Sequence, residues 1–382
     1  MANNTDESLL YGRLVVYHSV DCSGLTEKAD IEPAINNGYC GRCQNKISPK
    51  WRLQMGGQYC WHCANMGRLT TNDFLATIKE PNDFITNDNP CTWKGKLTSL
   101  QQMVSDDQIK ALRDGESHLT YAVTGAGKTE MLFPMLTLAI KQGKRIAIVA
   151  PRVDVIVLDE ADAFPYSENQ MLIKSVNRSL KETGIIFYLT ATLNASLKKM
   201  IKRKQLLLSM LPLRFHGQPL PNFSVKRIAK WREKLPKRVI NQMINLRDKK
   251  IKFLVFVPEV KDVAIVMNQL KSITTKLKIL GTYAADETRL EKVQAMRENS
   301  IDGLITTTIL ERGVTFLGID VLILGGDEPV FSTTTLIQIA GRCGRSIDRP
   351  TGLVRIYVQE RTKQLVDAIS EIHYLNSLGK TL

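Results

Sequence analysis

The chain has no hydrophobic run long enough to cross a membrane. Its longest apolar stretch, Met131 to Ile140, falls well short of the roughly twenty residues that a spanning helix needs. The N-terminus, MANNTDESLL, lacks the basic start and apolar core of a secretion signal. These absences lead to the expectation of a cytoplasmic protein that reaches a membrane only through a partner or a basic surface. No internal repeat is visible at the level of residues. Acidic residues are scarce in one place. Between Lys198 and Lys250, sixteen Lys and Arg face only Glu233 and Asp248, so this stretch alone accounts for the whole chain's +14. A concentrated basic segment suits a polyanion, bound with release of counterions. A solvated surface of mixed helices and loops is the plainer reading.

What remains is ordinary for a globular protein: 43% hydrophobic and 24% charged residues in a chain of 382. That length allows two or three domains. Residues 1–35 are polar and irregular. Residues 36–70 hold a cysteine module. Residues 71–96, with Pro81, Pro90 and several Asn and Asp, read as a linker. From Leu97 onward strand and helix patterns alternate, which signals α/β architecture. A first lobe over 97–220 carries candidate strands at Leu119–Val123, Arg145–Ala150, Val155–Leu158 and Ile185–Leu189. A basic connector over 221–245 leads to a second lobe over 246–382. Its candidate strands are Phe253–Val257, Lys278–Gly281, Gly303–Thr307, Val321–Leu324 and Leu353–Val358, with helices at Val260–Ile273 and Glu287–Glu298.

Four of the seven cysteines form two CxxC pairs, Cys40 with Cys43 and Cys60 with Cys63. Without a secretion signal this spacing favours a metal over disulfides. Four thiolates leave no open position, so the expected ion is a structural Zn²⁺. Tyr39, Arg42, Lys46, Lys50, Trp51, Arg52, Tyr59 and Trp61 interleave aromatic and basic side chains around it. Such a mixture holds single-stranded nucleic acid without sequence preference; equally, the aromatics can serve as the module's small core.

TYAVTGAGKTEM, Thr120 to Met131, sits between an apolar strand and an apolar helix. The run Thr124-Gly125-Ala126-Gly127-Lys128-Thr129 has the character of a phosphate loop. Glycines let successive backbone N–H groups point at phosphate oxygens, and the following helix adds its positive end. Lys128 is the candidate for the β- and γ-phosphates of ATP, and the Thr129 hydroxyl for Mg²⁺. The loop's first position is Ala122, as is common in superfamily 2 helicases. Downstream, Val155–Leu158 ends in Asp159-Glu160-Ala161-Asp162. A carboxylate at a strand end holds Mg²⁺ and its neighbour activates water, which assigns Asp159 to the metal and Glu160 to the attacking water. Thr190-Ala191-Thr192 follows, as expected of the element that couples hydrolysis to motion. Leu97-Thr98-Ser99-Leu100-Gln101 resembles the segment whose glutamine reads the adenine edge, here Gln101. In QIAGRCGR, Gln338 to Arg345, Arg342 and Arg345 are expected on one helical face as arginine fingers, with Gln338 lining the nucleotide.

Taken in order, the zinc module, TGAGKTEMLFP, PRVDV, DEADAFP, RFHGQPLP, ILERGVTF with Asp320 beyond it, and QIAGRCGR resemble the ComFA-type ATPases of natural competence in Gram-positive bacteria. The resemblance covers nearly the whole chain after its first few dozen residues. It implies two RecA-like lobes behind a four-cysteine zinc module. The implied activity is ATP-driven translocation on single-stranded DNA at the inner face of the membrane uptake channel. A ComFC-type protein and the membrane DNA channel are the implied partners, and oligomer formation stays open. A housekeeping RNA helicase is the alternative from the same superfamily, disfavoured by the zinc module and by the RFHGQPLP and LERGVTF strings.

One departure from the family is plain. In the family several dozen residues separate PRVDV from the strand that ends in DEAD; here the two meet at Val153-Asp154-Val155-Ile156. Two parallel strands of about 17 Å each, at roughly 3.3 Å per residue, normally need a crossover of a dozen or more residues. Two outcomes are expected. Either the second strand shifts or shortens, or it flips and carries Asp159 and Glu160 to the wrong edge. A truncated homologue that binds DNA and zinc with little ATP turnover is therefore the second functional reading.

Overall fold

The computed structural model describes residues 10–18, 28–79, 81, 87, 89–147, 153–162, 169–274, 276–308 and 316–381. The chain divides into two compact units. One comprises 1–120 with 129–209, the other 121–128 with 210–382.

The N-terminal part carries β1 (Val15–Tyr17), β2 (Asp30–Pro33), β3 (Ile35–Asn36), β4 (Tyr39–Cys40), a 3₁₀ turn at Trp61–Met66 and β5 (Phe74–Thr77). Strands β1, β5 and β2 form an antiparallel sheet in that order, and β3 pairs with β4. Strand β5 lies inside the segment expected to be a linker. Its Leu75 and Ala76 are buried, Leu75 against the four cysteines, so residues 74–77 belong to the folded module.

The first α/β lobe follows as α1 (Ser99–Asp114), β6 (His118–Ala122), α2 (Lys128–Lys141), β7 (Ile146–Ala147), β8 (Val153–Leu158), α3 (Gln170–Ser179), β9 (Leu180–Thr190), α4 (Ala195–Lys202) and β10 (Leu207–Leu211). Its sheet runs β10-β6-β9-β8-β7. Helix α1 begins at a capping box in which Thr98 and Gln101 satisfy each other's backbone N–H. It ends at Gly115 in the left-handed conformation, φ 69°. Leu112, Met135, Val155, Phe187 and Leu189 make one core, and Leu119, Ile156, Ile186, Tyr188 and Leu197 another.

Of the two expected outcomes, the described residues exclude the flip and show a register shift between β8 and β9 at Val153 and Val155. Strand β8 is not flipped: it pairs parallel with β7 through Ile146–Val155 and Ala147–Ile156, and parallel with β9 through Val155–Ile185 to Leu158–Tyr188. Strand β8 keeps six residues, while the described part of β7 is two. Asp154, in the join itself, anchors the pair. Its carboxylate accepts from Arg145 N at 3.0 Å, its N donates to Arg145 O at 3.0 Å, and Lys181 Nζ closes an ion pair at 3.0 Å. Pro151 and Arg152 lie outside the described residues.

The second lobe contains β11 (Phe223–Arg227), α5 (Lys237–Asp248), β12 (Phe253–Phe256), α6 (Val260–Ile273), β13 (Ile279–Thr282), α7 (Arg289–Arg297), β14 (Gly303–Thr306), β15 (Asp320–Leu324), α8 (Thr333–Ala340), β16 (Val354–Val358) and α9 (Lys363–Gly379). Its sheet runs β11-β16-β15-β12-β14-β13, with every pairing parallel. The central strands are buried throughout and, apart from Asp320 at the start of β15, apolar, as strands covered on both faces must be. The basic connector expected over 221–245 is part of this lobe. Strand β11 is the sheet's edge, and Val239, Ile240 and Met243 of α5 enter its core. Not all of the basic stretch is solvated surface. Arg232 donates to the fully buried Asp262 at 2.7 and 2.9 Å and to Glu328 at 2.8 Å, and lies over the Trp231 ring.

Candidate nucleotide and metal sites

The phosphate loop leaves β6 and enters α2. Gly125 and Gly127 both adopt positive φ, 81° and 78°, a conformation that costs a side-chain-bearing residue. Ala126 N donates to Val123 O at 3.2 Å and closes the turn. Lys128 folds back onto the strand end, its Nζ donating to Ala122 O at 2.7 Å and Val123 O at 3.4 Å.

The same compact unit holds the segment after α8. Arg342 and Arg345 do not share a helical face, as the spacing predicted. Helix α8 stops at Ala340, and the chain tightens into three-residue hydrogen bonds from Arg342 N to Ile339 O and from Cys343 N to Ala340 O. Gly344 then turns at φ 71°. The arginines therefore sit on a turn, with Arg342 buried and Arg345 Nε donating to Gly341 O at 2.8 Å. Burial lowers the Arg345 pKa. Gly341 lies directly against the phosphate loop: a Cβ built on it would fall 1.8 Å from Thr124 Oγ1. Gln338 is buried on α8. Thr124 to Lys128 and the arginine turn thus belong to one compact unit; Gln101, Thr129, Asp159 and Glu160 belong to the other.

Among those, Gln101 is committed to structure, its Oε1 accepting from Thr98 N at 2.9 Å in the cap of α1. Thr129 is exposed in the first turn of α2. Asp159 and Glu160 are exposed past the end of β8, where Glu160 takes a positive φ of 54° and its N donates to Asp159 Oδ1 at 2.8 Å. A solvent-facing carboxylate at a strand end suits a Mg²⁺ held partly through water. Two residues that were quoted only as motif letters make a direct link. Thr192 Oγ1 donates to Asp162 Oδ2 at 2.5 Å, and Ala161 N to Leu189 O at 3.1 Å, tying the DEAD turn to the end of β9. Thr190 Oγ1 in turn donates to Thr192 O at 2.5 Å. Asp320 is buried and paired with Arg349 at 2.5 Å; the Ile309–Thr315 stretch before it lies outside the described residues.

Cys40, Cys43, Cys60 and Cys63 are all buried, with their sulfurs within 4.8 Å of one another. Cys40 Sγ lies 3.8 Å from Cys63 Sγ, and Cys43 Sγ 3.5 Å from Cys60 Sγ. The hydrogen bond to Cys63 lowers Cys40 to about 5, whereas burial pushes Cys60 up to about 12 and the Cys40 contact pushes Cys63 higher still. Four buried sulfurs converging on one point are what a cation resolves, and the donor set fits Zn²⁺. Around them Trp51 is half-buried and stacks edge-on with His62 at 5.3 Å, serving the module's core. Tyr39 and Trp61 stay outside, 50% and 60% exposed.

A helicase conserved C-terminal domain model matches residues 233–346. Competence protein ComFA of Streptococcus pneumoniae (strain ATCC BAA-255 / R6) is 32% identical over 391 aligned positions, which use 88% of this chain and 90% of that protein. Competence protein ComFA of Bacillus subtilis (strain 168) is 32% identical over 425 positions, 91% of each. Both alignments are longer than the 382-residue chain although neither uses all of it, so each relative carries internal residues with no counterpart here. A solved helicase Lhr of Mycobacterium smegmatis, bound to ssDNA and AMP-PNP, covers 75% of this chain and 50% of its own at 12% identity, with a TM-score of 0.48. On the strength of the two near-full-length relatives, and with the cysteine cluster and parallel-sheet lobes in place, this chain belongs to the ComFA family.

Proposed function

We propose that this protein is an ATP-driven motor that moves along single-stranded DNA and powers DNA uptake in natural competence. The observation that best supports this reading is the packing of Gly341 on Thr124, which keeps the arginine turn against the phosphate loop. In the proposed cycle, Lys128 leaves the Ala122 and Val123 carbonyls to meet the β- and γ-phosphates. Arg342 and Arg345 stabilise the charge that develops on the γ-phosphoryl group. Thr129 and Asp159 would hold Mg²⁺, which would supply charge neutralisation at the phosphates. Glu160 orients and deprotonates the attacking water. Gln101 stands near the adenine in this reading and Gln338 lines the nucleotide. The bond from Thr192 to Asp162 passes the state of the acidic turn to the end of β9.

The zinc module, held by Cys40, Cys43, Cys60 and Cys63, contributes a strand-binding face through exposed Tyr39 and Trp61, with Arg42 and with Arg68, which lies over the Tyr59 ring, as cations of the same module. No helix among the described residues is long and apolar enough to cross a membrane. Action at the inner face of the membrane would then come through partners, a ComFC-type protein and the DNA channel.

The internal residues that both relatives carry and this chain lacks favour a second reading, in which the protein binds DNA and zinc but turns over ATP poorly. One experiment separates the two: ATP hydrolysis by the zinc-loaded chain with single-stranded DNA, with RNA and with neither, beside Lys128→Ala. Hydrolysis stimulated by DNA and abolished by the substitution upholds the motor. DNA binding with turnover no higher than in Lys128→Ala establishes the second reading, and stimulation by RNA alone overturns both.

A further inference from the structure

The string RFHG, Arg214 to Gly217, forms a tight turn that bridges the phosphate loop and the arginine turn. Gly217 N donates to Arg214 O at 2.9 Å, with Gly217 at φ 76°. On one side Phe215 N donates to Gly125 O at 3.0 Å. On the other, Arg214 Nη1 donates to Gly344 O at 2.6 Å and His216 Nε2 lies 3.0 Å from the same oxygen. Arg214 is therefore seated between Gly125 and Gly344, and only 3% of it is exposed.

Among the described residues, nothing pairs with its charge. Nε and Nη2 are buried and make no hydrogen bond, and no carboxylate among the described residues pairs with the guanidinium. Burial presses its pKa down to about 10; Cys343 acts the other way, and Arg345 is close enough to oppose its charge. Thr124 Oγ1, the loop hydroxyl beneath Gly341, is likewise buried without a partner. Three unsatisfied donors of an arginine and a phosphate-loop threonine thus gather around Gly125. A buried guanidinium persists when an anion accepts its fork, and a phosphate oxygen pair matches that geometry. Arg214 packs along the loop at Gly125, its Cγ 3.9 Å from the position a Cβ would take, which is ordinary contact; the glycine is required there by its φ of 81°.

We propose that Arg214 is a third phosphate-binding arginine, donating Nε and Nη2 to the terminal phosphate of the bound nucleotide while Nη1 holds the arginine turn through Gly344. This rests on the ATP-motor reading. The terminal phosphate is the target because Arg214 shares the Gly344 carbonyl segment with Arg342 and Arg345, whose proposed work is at the γ-phosphate.

The test compares the affinities of the full, zinc-loaded chain for ADP and for AMP-PNP, in wild type, Arg214→Met and Arg214→Lys. Arg214→Met is expected to weaken AMP-PNP roughly ten- to hundred-fold, as loss of a charged fork implies, and to leave ADP nearly unchanged. Because it replaces an unanswered buried charge with an apolar chain, it is expected to melt no lower than wild type. If it melts well below wild type, Arg214→Lys decides, since lysine keeps the charge and loses the fork. Loss of AMP-PNP preference in Arg214→Lys upholds the proposal, and full retention overturns it. Equal weakening of both nucleotides, or of neither, overturns the role of Arg214 and leaves the motor reading standing. A wild type that binds neither nucleotide overturns both.

Discussion

Gly341 and Thr124 touch across the second compact unit with no room for a side chain between them. A Cβ on the glycine would lie 1.8 Å from Oγ1, 2.5 Å from Cβ and 2.9 Å from Cγ2 of the threonine. The threonine is short and buried, so the obstruction cannot be relieved by swinging a flexible end aside; the loop backbone must move. Gly341→Val is expected to cost about 1–3 kcal/mol, the usual range for overpacking. It should also depress ATP turnover more than thermal stability, because the displaced atoms belong to the phosphate loop. Melting curves set beside steady-state hydrolysis check this. An unchanged turnover number in a variant that melts several degrees lower would break the link between this contact and nucleotide handling.

The four cysteines lead to a prediction about protons. Cys60 is raised to about 12 and Cys63 is raised as well, so both thiols keep their protons near neutral pH until a cation arrives. Zinc binds thiolates, so reloading the stripped protein in weak buffer at pH 7.5 should release the protons of both residues along with the uptake of one ion per chain. The sign follows: falling pH returns protons to sulfur and expels the metal. Titration of proton release against zinc content is the measurement, and zinc uptake with no proton release would mean that the cysteines are not the ligands.

Thr192 and Asp162 make the third test. Removing the hydroxyl in Thr192→Val takes one donor from the buried Asp162 carboxylate, at a cost of about 1–3 kcal/mol. The bond joins the DEAD turn to the end of β9 rather than reaching the nucleotide itself. The expected outcome is therefore a partial loss of DNA stimulation with basal hydrolysis largely preserved. Measuring turnover with and without single-stranded DNA checks it; a loss of basal hydrolysis as deep as in Lys128→Ala would place Thr192 in the chemistry instead.

Much of this was legible in the sequence, for reasons that differ by element. Strands β12, β14 and β15 are near-continuous apolar runs because both their faces are covered, and the sequence places them within a residue or two. Strand β11, FSVKR, hides behind the basic segment because an edge strand tolerates Lys226 and Arg227 toward solvent. Strand β5 has only four residues, and the partners that make it a strand, β1 and β2, lie more than forty residues away. The spacing of Arg342 and Arg345 suggests a helical face, but α8 tightens and ends before reaching them, which only the backbone reveals. Arg214 carried no signal of its own, since one arginine in a basic run gives no hint of burial. Its family string, RFHGQPLP, was the sole pointer.

His118 gives a pH-dependent prediction in the first unit. It is buried beneath the sheet edge, its Nε2 2.9 Å from Ser209 Oγ, which in turn donates to Asp107 at 2.6 Å. Burial pushes its pKa down to about 4, against 6.5 for the ordinary side chain, while Asp107 pulls weakly the other way. The fold therefore holds His118 neutral, and the unfolded chain takes up the proton first. The stability that this site contributes is present above pH 6.5 and is lost as the pH falls from 6.5 toward 4. The full shift corresponds to at most about 3 kcal/mol at one site. His118→Gln keeps a hydrogen-bonding group and removes the titration, so it should start lower in stability at pH 7.5 and lose less on acidification. Denaturant unfolding of both proteins at pH 7.5, 6 and 5 measures the difference in slope; parallel losses in the two would show that His118 is charged in the folded state and that the acid sensitivity lies elsewhere.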